Sequence, residues 1–422
     1  MAEVDTAEME NSARDYWEDT AYAPGSVIRE VDYAANSRGM DPLFTGIKIV
    51  DTDAHLTEPP TLFTDRAPAG MRDRLPYVKR NEHGMDRWFI GERDCGSLGG
   101  NVIDRDHNKL LGRAGFPRLE QSTAAGHELK PRLQAMDDMG VHAQICYHNS
   151  GITQAGMLMT LGDEELALTI IRLFNDYNAD CQRESGERLF PLAHVPFWNR
   201  AEMEKEARRC IDMGLRGFVL PDTPERMGVP TYLADHWTGF LEMCEATGRP
   251  INFHLNTAVD AKKMIWTDLP FEESFTVMSL VFFLGTAGTM ANWMVSGRLD
   301  RHPKLKIGLT ESGAGWVPFA LEALEHQFDE TLPNTRRTPP RRPMEYFRDQ
   351  FWCTFWFEKV GPKKLLETIG VDKVMFETDF PHPTSLYPGV QQHLVDVLGA
   401  YDFEVQKKVL QDNASALYNL PF

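Results

Sequence analysis

An apolar run, Ile47 to Val50, gives way to Asp51-Thr52-Asp53-Ala54-His55, a carboxylate and an imidazole two residues apart where a strand should stop. Side chains at i and i+2 of a strand share a face. Asp53 and His55 can therefore converge on one cation while Thr52 and Ala54 point away. Alone, such a pair is more often a cap or a surface hydrogen bond than a ligand pair. Three later segments bear on the choice. Pro250-Ile251-Asn252-Phe253-His254 ends a buried run in an imidazole. Gly308-Leu309-Thr310-Glu311 ends another in a carboxylate, followed by Ser312-Gly313-Ala314-Gly315-Trp316, small residues that let backbone approach a site closely. Met375-Phe376-Glu377-Thr378-Asp379-Phe380-Pro381-His382 sets Asp379 and His382 beyond a third.

Asp53, His55, His254 and Asp379 offer two nitrogens and two oxygens, a donor set suited to one Zn²⁺ and tolerable for Mn²⁺ or Fe²⁺. Such an ion acidifies water or polarises a substrate oxygen. Glu311 beside it, its pKa raised by enclosure, could take a proton from water and return it to a leaving group; the alternatives are an orienter of His254 or a structural cap. His382 suits substrate contact or proton transfer. Trp316 and Phe380 are candidate apolar pocket walls, with core packing as the alternative. His148, in Tyr147-His148-Asn149-Ser150-Gly151, either lines the same mouth or makes a loop hydrogen bond. Glu377 either orients Asp379 or points inward to an ion pair.

The frame must bring these strand ends to one face. Short apolar runs at Ile47–Asp53, Ala143–Tyr147, Leu189–Val195, Gly217–Leu220, Ile251–His254, Lys306–Thr310, Phe351–Phe355 and Val374–Glu377 alternate with helical patterns such as Asp163–Glu187, Ala201–Met213 and Val317–Leu332. That alternation predicts an α/β fold, a distorted (β/α)8 TIM barrel, whose active face is built at the carboxyl ends of the strands. Residues 1–46 form an N-terminal arm and 47–422 one barrel domain, with insertions after strands one and five at about 57–130 and 256–303, counted against ordinary loop lengths. Arg80 to Asn101 within the first insertion has a hairpin-like pattern. Ser274 to Gly297 carries no charge but is diluted by Ser, Thr, Gly and Asn, which favours a buried helix over a membrane span.

The 422 residues carry a net charge of -18, which excludes a phosphate-binding surface of the nucleic-acid kind. The six cysteines are scattered without a Cys-x-x-Cys pair, so a disulfide framework or thiolate zinc site is not expected and a reducing, cytoplasmic setting is. No nucleotide loop or Gly-x-Ser-x-Gly elbow is present.

The motifs VDTDAHLTEPP (Val50–Pro60), RLQAMDDMGVHAQI (Arg132–Ile145), NFHL around His254, ESGAGWVP (Glu311–Pro318) and ETDFPH (Glu377–His382) make the chain resemble the amidohydrolase superfamily. More narrowly, it resembles the aminocarboxymuconate-semialdehyde decarboxylase-like branch. The resemblance implies metal ligands at Asp53 and His55 on the first strand, His254 on the fifth and Asp379 on the eighth. It also implies a small-molecule substrate and a homodimer; the charge and the diluted apolar stretch leave neither nucleic acid nor membrane as an expected partner. Decarboxylating relatives commonly carry His where this chain has Glu311. That departure makes hydrolysis of a small aromatic or carboxylate-bearing substrate the first expectation. Nonoxidative decarboxylation is the alternative favoured by the branch, and a metal-binding scaffold without chemistry is the third.

Overall fold

Eight apolar segments pair in parallel in the computed structural model, which describes residues 27–29, 31–82, 84–98, 102–111, 118–255, 261–332 and 339–422. They are β1 (Val50–Leu56), β2 (Ala143–His148), β3 (Leu189–Pro191), β4 (Phe218–Val219), β5 (Ile251–His254), β6 (Ile307–Thr310), β7 (Phe351–Phe355) and β8 (Val374–Phe376). Neighbours run β3-β2-β1-β8-β7-β6-β5-β4. A parallel bridge between Ala193 and Phe218 joins the two ends, so the sheet closes into the expected (β/α)8 barrel. Helices cover its outside, for example Glu164–Glu184, capped by Asp163, whose side chain accepts from the Leu166 N–H. Strands buried on both faces are apolar almost throughout, which is why their positions were legible.

One boundary differs in a way that matters to the site. β1 does not stop near Asp53 but runs to Leu56, pairing with β2 as far as His148 across a register shift between Asp51 and Ala54. Ala54 also bridges Phe380 beyond β8. Asp53 and His55 therefore stand on a strand gripped from both sides rather than on a loop.

Both insertions carry structure. After β1, Tyr77–Arg80, Asp86–Ile90 and Arg93–Ser97 form a three-stranded antiparallel sheet, extending the expected hairpin. This insertion leans on the segment after β8: the Ile103 N–H donates to the Pro381 carbonyl at 2.8 Å, the Lys109 ammonium bonds the Ser385 carbonyl, and the Tyr387 hydroxyl meets His107 Nδ1 at 2.6 Å. Most of the N-terminal arm, residues 1–26, lies outside the described residues. Its Val27–Arg29 strand pairs antiparallel with Lys109–Leu111 of the same insertion.

The uncharged stretch after β5 is a helix, Phe271–Val295, but the expectation that it is buried needs correction. Met290, Trp293 and Met294 are buried, while Leu280 is 56% and Leu284 51% exposed. Residues Glu273–Val295 are long and apolar enough to cross a membrane by length and composition. In this fold Thr286 bonds Ser312 after β6 at 2.7 Å, and Thr289 donates to Asp222 after β4 at 2.8 Å. The helix thus lies along the barrel mouth with one face bare.

Candidate metal centre

The polar side chains at the tips of β1, β5, β6 and β8 meet at the carboxyl-end mouth of the barrel. His55 Nε2 lies 3.5 Å from Asp53 Oδ1 and 3.4 Å from Asp379 Oδ1. His254 Nε2 lies 3.4 Å from Asp53 Oδ1 and 3.4 Å from Glu311 Oε2. Asp53, His55 and His254 form one group of potential ligands, and His55, Asp379 and His382 form a second that shares His55.

These spacings are too long for hydrogen bonds and right for a shared ion. Two donors each ~2.1 Å from one cation and separated by a tetrahedral angle stand ~3.4 Å apart. Both oxygens of Asp53, His55 Nε2 and His254 Nε2 are buried without a hydrogen-bond partner. Buried polar atoms are nearly always partnered, so orphaned atoms converging on one point fit a cation. The tautomer of His55 agrees: its Nδ1 lies 2.9 Å from the His148 carbonyl, which can only accept. Nδ1 therefore carries the hydrogen and the Nε2 lone pair faces the site.

The backbone is bent to make this arrangement. Leu255, Glu311 and Asp379, just past β5, β6 and β8, have φ of 50°, 54° and 63°, left-handed conformations that cost roughly 1–3 kcal/mol each outside glycine. Glu377, fully buried, holds one of them: its Oε2 accepts the Glu311 N–H at 3.0 Å. Of its two expected roles, the inward orientation is found, serving a backbone amide rather than an ion pair. Asp51 ties β1 to β8, accepting from the Thr378 N–H at 2.8 Å and from the Gln144 amide at 2.8 Å.

Burial dominates the electrostatics. It lowers His55 and takes His254 down to about 4, leaving both imidazoles in the neutral form that binds metals. Burial raises Asp53 against the pull of His55, with Asp379 adding to the rise. Burial would raise Asp379 too, but His382 and His55 beside it hold it below the usual carboxylate range. Glu311 is pushed well up by burial and then by Asp379, Asp53 and Glu377.

His382 stacks on His55 with ring centroids 3.9 Å apart, its Nδ1 2.6 Å from Asp379 Oδ1 and its Nε2 2.9 Å from Asn149 Oδ1. Both nitrogens are engaged by protein. Phe380 is 1% exposed, under the Arg132 guanidinium and against Tyr387, so its ring packs in the core behind the site. Trp316 is partly exposed and donates its indole N–H to the Ser312 carbonyl at 3.0 Å. The His148 ring meets His194 edge-on at 4.7 Å, while its carbonyl orients His55. Sequence reasoning passed over Asn149, Thr57, Thr384 and Tyr147; the last donates to Thr310 at 3.0 Å, its ring 4.4 Å from that of His254.

Comparison with known proteins follows the same lines. Gamma-resorcylate decarboxylase of a Rhizobium species is 26% identical over 261 residues, 59% of this chain and 76% of that protein. An amidohydrolase from Mycobacterium avium subsp. paratuberculosis superposes with a TM-score of 0.68 at 18% identity, covering 88% of this chain and 99% of that one. A manganese-bound 5-carboxyvanillate decarboxylase from Novosphingobium aromaticivorans superposes at 0.62 with 14% identity, covering 90% and 100%. The amidohydrolase family profile matches residues 50–420, from the first residue of β1 to just past the last helix, Asn413–Tyr418, and the chain is an enzyme of the amidohydrolase family.

Proposed function

We propose that the chain is a divalent-metal-dependent, nonoxidative decarboxylase of a small aromatic or unsaturated carboxylic acid. The observation that carries this is the likeness to gamma-resorcylate decarboxylase, 26% identical over 261 residues; Glu311, a buried carboxyl whose Oε2 stands 3.4 Å from His254 Nε2, is placed beside the donor set where it can serve that chemistry as proton donor. The likeness to relatives that are by name decarboxylases supports the same reading over the hydrolysis first expected from the residue at 311.

Asp53, His55, His254 and Asp379 would hold the ion, which would supply a Lewis-acid seat for the substrate carboxylate and an adjacent oxygen. Manganese is preferred on the likeness to the manganese-bound neighbour, in place of the zinc that the donor count suggested. The bond from the ring or alkene carbon to the carboxyl carbon breaks, carbon dioxide leaves, and the electron pair left on carbon takes the Glu311 proton. Glu311 then recovers a proton from water. A bound 2+ ion offsets part of the rise in the Glu311 pKa, so its role rests on position. His382, occupied at both nitrogens, is assigned to holding Asp379 rather than to proton transfer. Trp316 and His148 are proposed as pocket walls.

Hydrolysis remains the second reading for one specific reason: an ionised Glu311 would serve as a general base. Metal-loaded protein offered 2,6-dihydroxybenzoate, 5-carboxyvanillate and a panel of esters and anilides separates the two. Carbon dioxide release is the expected result. Hydrolysis without carbon dioxide release would overturn the proposal, and metal binding without any turnover would leave a scaffold.

We further propose a homodimer formed through the bare face of the helix Phe271–Val295. From Ser274 to Gly297 there is no charge, in a chain of net charge -18, so two copies can meet there without like-charge repulsion. Sedimentation of the wild type beside Leu280→Glu tests it; a monomeric wild type would contradict it. All six cysteines are free, which supports a reducing, cytoplasmic compartment.

A further inference from the structure

We infer that Asn149, braced by Thr57, is a positioning residue that fixes the His382 imidazole against Asp379 and so sets how that carboxylate meets a metal ion. The inference rests on the metal-centre reading above. Asn149 follows β2, Thr57 follows β1, and His382 and Asp379 follow β8, so the contact ties three loops around the mouth. The Asn149 amide Nδ2 donates to Thr57 Oγ1 at 2.9 Å, which turns its Oδ1 toward His382 Nε2 at 2.9 Å.

The other edge of the ring lies 2.6 Å from Asp379 Oδ1. The Thr384 hydroxyl donates to Asp379 Oδ2 at 2.8 Å. Thr384 holds Oδ2, while Oδ1 lies between His382 Nδ1 and His55 Nε2, the latter at 3.4 Å. Asp379 would thereby offer Oδ1 to a bound ion. Stacking on His55 sets the plane of the His382 ring but not its rotation within that plane. Asn149 and Asp379, at opposite edges of the ring, supply that constraint together. A partner that holds a ligand directly, as His382 holds Asp379, typically changes metal affinity or activity by about 10–100-fold when lost; Asn149, one contact further out, acts through that ring.

The test is a double-mutant cycle read by metal affinity. Asn149→Leu, His382→Phe and the double variant are compared with wild type by Mn²⁺ competition against a fluorescent chelator, with Co²⁺ absorption spectra of each. His382→Phe is expected to weaken binding about tenfold or more, Asn149→Leu to weaken it by a smaller measurable factor and shift the Co²⁺ bands, and the double variant to bind no more weakly than His382→Phe alone, since both act through one ring. Unchanged affinity and spectrum in Asn149→Leu, or losses that multiply in the double variant, would overturn the inference. If Asn149→Leu does not fold, Thr57→Val, which deletes only the bracing hydroxyl, must show a smaller loss in the same direction; no loss would overturn it equally. A wild type that binds no metal would instead bring down the metal-centre reading, a distinguishable failure.

Discussion

Glu311→Gln keeps the shape of the side chain and removes its acid. The backbone hold survives, because Glu377 bonds the N–H of residue 311 rather than its side chain, and the left-handed φ of 54° is no harder for Gln than for Glu. A positioned general acid is worth about 10²–10⁴ in rate, or about 3–5 kcal/mol of barrier, so kcat should fall by that factor with one equivalent of metal still bound. Stability of the metal-free protein should move the other way. Glu311 has a folded pKa raised by burial and by three neighbouring carboxylates. Its contribution is therefore fully present below the unfolded value of about 4.3 and is lost as pH rises. Gln cannot ionise, so the variant should melt no lower than wild type at pH 5 and higher at pH 8. Carbon dioxide release, elemental analysis and melting curves on one preparation read all three. A variant that keeps kcat within about threefold, or that loses its metal, would refute the role given to Glu311; the second result would make it a ligand.

Asp379→Asn removes a ligand charge between His55 and His382 and should cost both metal and turnover; turnover unchanged at equal metal content would sink the site. Glu58 is fully buried, accepts from the Ser150 N–H at 3.0 Å, and is raised by burial to about 7. The folded state therefore holds its proton longer than the unfolded chain. Stability should fall by about 3 kcal/mol between roughly pH 4.5 and 7 on its account, a slope in urea-unfolding free energy that Glu58→Gln should flatten. Gly140 ends the helix Leu129–Met139 at φ 69°, and a Cβ there would sit 2.6 Å from Met40 Cα. Gly140→Ala should cost about 2–4 kcal/mol, and an unchanged melting temperature would contradict the close approach.

The barrel and the convergence of most candidate site residues were legible because both follow from local pattern. Strands covered on two faces leave runs such as Phe351–Phe355 and Val374–Phe376, and the fold places every strand end at one mouth, so Asp53, His55, His254, Glu311 and Asp379 could be assembled from their positions alone. Asn149 could not, since its partner His382 is 233 positions away and an Asn in a loop looks like any turn residue. The exposure of the helix Phe271–Val295 was hidden for a different reason. It is apolar all round, and periodicity distinguishes a bare face from a buried one only when the two differ in polarity. The bends at Leu255, Glu311 and Asp379 left no mark either, as none is a glycine. The choice between hydrolysis and decarboxylation turned on one residue type, and Glu at 311 permits both chemistries.

The metal centre is tested most directly by elemental analysis of wild type beside His254→Ala, purified identically without chelators. About one equivalent of Mn, Zn or Fe is expected in the wild type and its loss in the variant. No metal in either protein after reconstitution with each ion would contradict that centre.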